Sequence, residues 1–450
     1  MAPLPTALLA LLSKSQVATP SDFQAAAVQW ANPTDVLTVL MIIGGDIVQR
    51  ALASMAGSRG GFPLVPVAYS FGWVSYSFSA ILSAIGDRRL LPAPDYDCVV
   101  VNARSGYHRR NRSFPLGRLL RDHEVRKQET GLVVEFFNTI PSKRAGYSSA
   151  DWVYAFSIFI IASQLLLSIL PIIIHQHYTI FILTLGGTIL ALLTAALPQW
   201  KEEKWAAREA SPNTRSVVCL TAGNGSNYVM VIVSDGCGLK LEDLAAGRHN
   251  PSVWTSVAVI ALAILWIVHL ITVQGLTNDS WFSLAIGALG MVQNAVAAGA
   301  KRSCGALGFH LQRDDKRSFS AEKVFKALQI AEDTEPHVGL SLLPLFFPGQ
   351  LRSDELIWRD ARKAQLASEP PADNITSAAV CERASVDMER AIPCSEPATS
   401  PNRHSDAGLC AVHCGEIAPP PYARLAEHAA TPLYTRTRDQ GHIFPGFWRR

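Results

Sequence analysis

Apolar and polar positions alternate on two scales along this chain. On the long scale six apolar stretches stand out: Val36–Met55, Pro63–Ile85, Trp152–Ile174, Tyr178–Leu197, Trp254–Val273 and Trp281–Ala300. A helix needs about 20 mostly apolar residues to cross a hydrocarbon core roughly 30 Å thick, and each stretch is of that order. They form three pairs, closed by the short links 56–62, 175–177 and 274–280 and separated by long polar connections. The expected architecture is an all-α transmembrane bundle, six spans in three helical hairpins, with a small cytosolic α+β element and a disordered C-terminal tail.

Charge orients this threading. Segments 87–151, 199–252 and 301–367 carry twelve, six and eleven Lys and Arg residues, against one, none and none in the short links. Cytosolic loops are the ones enriched in these residues, so every long connection and both termini are expected in the cytosol. The domain organisation follows. A cytosolic N-terminal extension (1–35) precedes hairpin 1 (36–86), a basic α/β segment (87–151), hairpin 2 (152–197) and a β-hairpin segment (198–253). Hairpin 3 (254–300), a helical or interfacial segment (301–367) and a disordered tail (368–450) complete the chain.

On the short scale the connections contain runs rich in β-branched and aromatic residues. Strands are expected at Cys98–Asn102, Leu132–Phe137, Ser216–Leu220 and Tyr228–Val233. Isolated hairpins are marginal in water, so these runs should combine into one small sheet. Helices are expected at Phe114–Lys127, Leu241–Ala246, Ser320–Asp333 and Asp354–Leu366. The apolar run His337–Pro348 is too short to cross and should lie at the interface or against the bundle. Phe114–Lys127 is basic and amphipathic, which makes Arg118, Arg121, Arg126 and Lys127 candidate contacts for anionic lipid headgroups. Packing of this helix on its own domain is the alternative.

Composition agrees with a membrane protein bearing soluble parts. Half of the residues (49%) are hydrophobic and 17% are charged, below the roughly 25% usual for soluble domains. A net charge of +3 gives no reason to expect nucleic acid. All eight cysteines lie outside the six stretches, on the expected cytosolic side where free thiols are the rule.

Ionisable groups inside an apolar span are costly, so they mark either a path or a structural pair. Asp46 and Arg50 lie four apart on the first stretch and share a helical face. Gln164 and His269 fall at similar depth in the third and fifth, so the four form a candidate intramembrane polar layer. Tyr69 and Tyr76 on the second stretch are candidate cavity-lining residues. His175 and His177, beside Asp279 if the hairpins are adjacent, offer two imidazoles and a carboxylate to a transition metal, although interfacial polarity alone accounts for them. Phosphate-loop, zinc-protease and serine-hydrolase motifs are absent, so no catalytic residue and no cofactor is expected.

Four blocks carry a resemblance: Leu40-Met-Ile-Ile-Gly-Gly-Asp-Ile-Val-Gln-Arg-Ala-Leu52, Ser105-Gly-Tyr with Leu116-Gly-Arg-Leu-Leu-Arg-Asp122, Leu197-Pro-Gln-Trp with Glu203-Lys-Trp205, and Leu342-Leu-Pro-Leu-Phe-Phe-Pro-Gly349. Together they resemble a group of uncharacterised fungal multi-spanning integral membrane proteins, over roughly residues 30 to 365. The resemblance implies membrane residence and no particular activity. The expected function is therefore transport or channel-like conduction through the polar layer, with the lipid bilayer as the constant partner. The alternative is a membrane-anchored scaffold or regulator acting through its basic cytosolic segments, with protein partners for the C-terminal tail.

Overall fold

The computed structural model describes residues 44–59, 65–124, 131–212, 214–248, 252–276 and 279–368. The expected N-terminal extension lies outside them, as do Arg126, Lys127 and all but the first residue of the expected tail. Along the described residues run α1 (Gly45–Met55), α2 (Gly72–Ile85), β1 (Val99–Asn102), β2 (His108–Arg110), α3 (Phe114–His123) and β3 (Leu132–Thr139). Next come α4 (Trp152–His175), α5 (Thr179–Ala195), α6 (Gln199–Lys204), β4 (Arg215–Thr221), β5 (Tyr228–Asp235) and α7 (Leu241–Ala245). The last six are α8 (Val253–Gln274), α9 (Ser280–Gly299), β6 (Leu311–Ala321), α10 (Val324–Thr334), α11 (Val338–Phe346) and α12 (Ser353–Ser368).

All six strands join one mixed sheet in the order β2-β1-β4-β5-β3-β6. Only β3 and β5 run parallel, with Val133 opposite Tyr228, and the other neighbours are antiparallel. Side chains alternate across a strand, and here both faces are apolar. On β5, Tyr228, Met230 and Ile232 pack with Leu116, Leu119 and Leu120 of α3, Leu241 and Leu244 of α7, and Trp205 and Phe309. Val229, Val231 and Val233 pack the opposite way, against Leu328 and Ala331 of α10 and Leu342 and Phe346 of α11. The result is a three-layer helix–sheet–helix core.

This is an α/β fold, which corrects the all-α, six-span bundle expected from the hydrophobic pattern. Two physical facts separate the readings. Short apolar runs scattered over three connections pair at long range and add up to a sheet that occupies the centre of its own core. In addition, an apolar stretch is not always one helix. Among the described residues only α4, α8 and α9 are long and apolar enough to cross a membrane. The stretches 36–55, 63–85 and 178–197 yield described helices of 11, 14 and 17 residues. The first begins after Gly44 at φ 92°, and the second is non-helical over residues 65–70 before α2 starts.

Two smaller expectations also change. The run around His337–Pro348 forms α11, which covers the sheet instead of the helical bundle. Residues 320 and 321 end β6, so the following helix starts at Val324. That strand reads as polar because it is an edge. Its Arg313-Asp-Asp-Lys-Arg317 run keeps other strands from adding on.

The remaining long helices form an apolar bundle in which α2 packs on α8, α9 on α4 and α1, and α5 on α4 and α8.

Candidate functional site: a bent segment inside the helical bundle

Among the described residues, 56–57 and 90–91 are both tied to the sheet end of the bundle. At the start, Gly57 O accepts a hydrogen bond from the Trp205 indole just after α6 (2.8 Å), and Ala56 O accepts one from Lys204 (2.8 Å). At the end, the amides of Leu90 and Leu91 donate to Glu203 on the same helix (3.0 and 2.9 Å). Between these anchors Tyr69 and Phe71 reach the middle of α9, where Gly290 and Gly287 receive them. At about 1.5 Å per residue, those glycines lie roughly 14–18 Å from the sheet end of α9. The described chain therefore enters as a non-helical arm, 65–70, and returns as α2.

Non-helical backbone inside a helical bundle has no helix to satisfy it, and a buried unpaired amide or carbonyl costs about 1–3 kcal/mol. Three side-chain amides take on that task. Gln293 accepts from Ala68 N (2.9 Å) and donates to Pro66 O (3.3 Å) and Ser157 Oγ (2.7 Å). Gln164 donates to Tyr69 O and Ile286 O, each at 2.7 Å. Asn294 donates to Ser70 Oγ (2.7 Å) and, at 3.4 Å, to Ala68 O, which also accepts from the Trp73 indole (2.8 Å). All three amide side chains are fully buried. Close approach is possible because position 290 lacks a side chain: a Cβ there would stand 1.7 Å from Tyr69 O. Glycines also let the N-terminal ends of α1 and α2 touch, since a Cβ on Gly72 would meet Gly44 O at 2.7 Å.

An aromatic wall closes the arm on the α8 side. Trp73 and Trp266 stack at 5.2 Å, Tyr69 stacks on Trp266 at 6.2 Å, and His269 meets the Tyr69 ring edge-on at 5.3 Å. Four buried polar atoms around the arm have no hydrogen-bond partner among the described residues: Gln164 Oε1, Asn294 Oδ1, Trp266 Nε1 and His269 Nε2.

The structure brings some of the expected layer together and leaves the rest apart. Gln164, His269 and Tyr69 meet at this arm, and Tyr76 is buried against Trp73 at 5.8 Å. Asp46 and Arg50 are exposed on α1, and no ion pair forms between them. Gln293 and Asn294 do the central work and were not singled out from the sequence. Their signal was present all the same, as two adjacent amides inside an otherwise apolar stretch. His175, His177 and Asp279 do converge, where the α4–α5 turn meets the start of α9.

A second polar cluster joins bundle to sheet. Asp122 on α3 accepts from Arg118 Nε (3.0 Å), from Arg121 (3.0 and 2.9 Å) and from the Arg302 amide (3.1 Å). Arg302 also grips Asp151 with two bonds, at 2.7 and 2.9 Å. Arg118 donates to Ala298 O and Ala300 O, while Arg302 and Lys204 donate to Ser54 O. These are the unsatisfied carbonyls at the C-terminal ends of α9 and α1, where the helix dipole favours cations. Burial pushes the Lys204 amine down to about 7, and the nearby Arg302 and Arg118 push the same way. Arg118 is thus wholly buried, and Arg121, partly exposed, is paired with Asp95 and Asp122. A helix with an apolar and a basic face can bury both when carboxylates and helix ends await it.

Two further features are chemically quiet. Cys304 Sγ lies 3.0 Å from His123 Nε2, whose Nδ1 is 2.9 Å from Leu119 O. Burial pushes the Cys304 thiol up to about 12, which favours the S–H form over the thiolate. A cavity of about 40 Å³ between Ile140, Ile232, Leu239 and Phe309 on one sheet face has room for a few waters at most. No family model, no curated protein and no solved structure matches this chain.

Proposed function

We propose that the chain is a multi-pass membrane protein that passes a small polar solute through its helical bundle. On this reading α4, α8 and α9 span the bilayer, the shorter α5 packs beside α4 and α8, and the α/β domain lies on the cytosolic side, as the Lys and Arg distribution favours. The described residues 65–91 then form a re-entrant element reached from that side. The observation that carries the reading is the buried, non-helical segment 65–70. A mere anchor needs only continuous helices, whereas non-helical backbone at membrane depth must be buried in protein or line a water-filled path, and it recurs at transport sites. The N-terminal ends of α1 and α2 meet beside the arm with their positive dipole ends together, which favours an anionic solute.

A second reading, a membrane-anchored scaffold, is favoured by the charged joint, which fixes the sheet to the helix ends. It also has an open groove of about 460 Å³ between the β1–β2 turn and helices α11 and α12. Flux separates the two. The purified full-length chain is reconstituted into dye-loaded vesicles and challenged with protons, alkali cations and small inorganic and carboxylate anions. Solute entry above that of empty vesicles, reduced by His269→Phe in a protein of unchanged melting temperature, supports transport. Vesicles that stay tight to every solute in the panel refute it and leave the scaffold reading.

A further inference from the structure

We propose that His175, His177 and Asp279 form a binding site for a divalent transition-metal ion such as zinc, at the end of the bundle remote from the sheet. The inference does not depend on the transport reading. His175 is the last residue of α4, His177 lies in the turn to α5, and Asp279 occupies the N-cap position of α9 with its carboxylate free of any capping bond. One donor atom from each residue lies within 4.8 Å of the other two. His175 Nδ1 is 2.9 Å from Asp279 Oδ1, and His177 Nδ1 is 2.7 Å from Asp279 Oδ2.

The donor chemistry is specific. Two imidazole nitrogens and one carboxylate oxygen suit zinc and its first-row neighbours, not magnesium or calcium, which prefer oxygen alone. Three protein ligands leave a fourth position for water, the arrangement of an open site. Neither link, 175–177 or 274–280, contains Lys or Arg, so no cation within them competes for the carboxylate. Asp279 is mostly buried, at 11% side-chain exposure, while the two imidazoles are nearly half exposed and free to turn toward an ion. Bonds of about 2.0–2.1 Å in a tetrahedron require donors roughly 3.3 Å apart. The two nitrogen–oxygen contacts must open by about half an ångström, and the imidazole nitrogens must close by about 1.5 Å at most. Side-chain rotation supplies both movements. Backbone geometry already commits the donors, because Gln176 between the histidines and Asp279 itself adopt φ of 57° and 60°.

The test uses the full-length chain, purified in detergent and stripped with a chelator. Zn²⁺ is titrated calorimetrically, and Co²⁺ is followed by visible absorption. The expected result is saturable binding at one ion per chain, with a cobalt spectrum free of the intense thiolate charge-transfer band. Affinity should fall at least tenfold in both His177→Ala and Asp279→Asn, and the metal-free melting temperature of Asp279→Asn should match that of the parent. Absence of binding, binding unchanged in both variants, or a spectrum dominated by thiolate ligation overturns the assignment. The last outcome would place the ion on cysteines elsewhere in the chain.

Discussion

Replacing Asp122 by asparagine tests the charged joint with little change in shape. Four cations meet there, Arg118, Arg121, Lys204 and Arg302, against three carboxylates, Asp95, Asp122 and Asp151. Asp122 is the member that Arg118, Arg121 and the Arg302 backbone share. Its Oδ2 takes Arg118 Nε and the Arg302 amide, and its Oδ1 takes two bonds from Arg121. An asparagine fills the same volume but presents an NH₂ group to one set of donors, and it removes the charge opposite a guanidinium that is 0% exposed. Breaking a buried pair from one side costs about 3–5 kcal/mol, because the partner charge stays buried. With roughly 2–4 °C lost per kcal/mol in a chain region of a few hundred residues, the apparent melting temperature should drop by about 6 °C or more. Thermal unfolding of the detergent-solubilised full-length chain, followed by tryptophan fluorescence, measures it. Arg359→Gln, which removes an exposed pair with Asp360, serves as the reference and should shift melting by less than about 2 °C. An Asp122→Asn variant melting within that margin would show that the joint does not hold the molecule together.

Two other outcomes follow from the same geometry. Gln293→Leu keeps the bulk but strands Ala68 N and Pro66 O, so it should cost about 2–4 kcal/mol and speed hydrogen exchange at Ala68. A variant as stable and as protected as the parent refutes the role of the amide. Lys204 releases its proton near 7 when folded and near 10.5 when unfolded, so the unfolded chain holds more protons between those values and stability must rise with pH there. From pH 7 to 8.5 that rise is about 2 kcal/mol. Lys204→Met should flatten the profile over this window, and equal slopes in the two proteins would contradict it.

How much of this was legible beforehand differs from element to element. Strands β1, β3, β4 and β5 were marked by runs such as Leu132-Val-Val and Tyr228-Val-Met-Val, because a strand buried on both faces is apolar throughout. The edge strand β6 was not, since its Arg and Asp residues face solvent and resemble a loop. Apolar length identified α4, α8 and α9 but overstated 63–85, since composition does not show whether backbone amides pair within a helix or with Gln164, Gln293 and Asn294 from other helices. The histidines at 175 and 177 could be placed beside Asp279 because short links leave few positions open. The joint stayed hidden for the opposite reason: Arg118, Asp151 and Arg302 come from three separate connections.

The order of strands in the sheet also sets a timetable for biosynthesis. β3 ends at Thr139, its parallel neighbour β5 begins at Tyr228, and its other neighbour β6 begins at Leu311. The apolar hairpin α4–α5 must be made before the first neighbour exists, and α8–α9 before the second. At about 5–20 residues per second, the 88 intervening residues 140–227 keep Leu132-Val-Val-Glu-Phe-Phe137 waiting for roughly 4–18 s. During that interval one of the most apolar strands of the sheet has no partner, so the soluble core closes last, after the helices on either side of it have been settled.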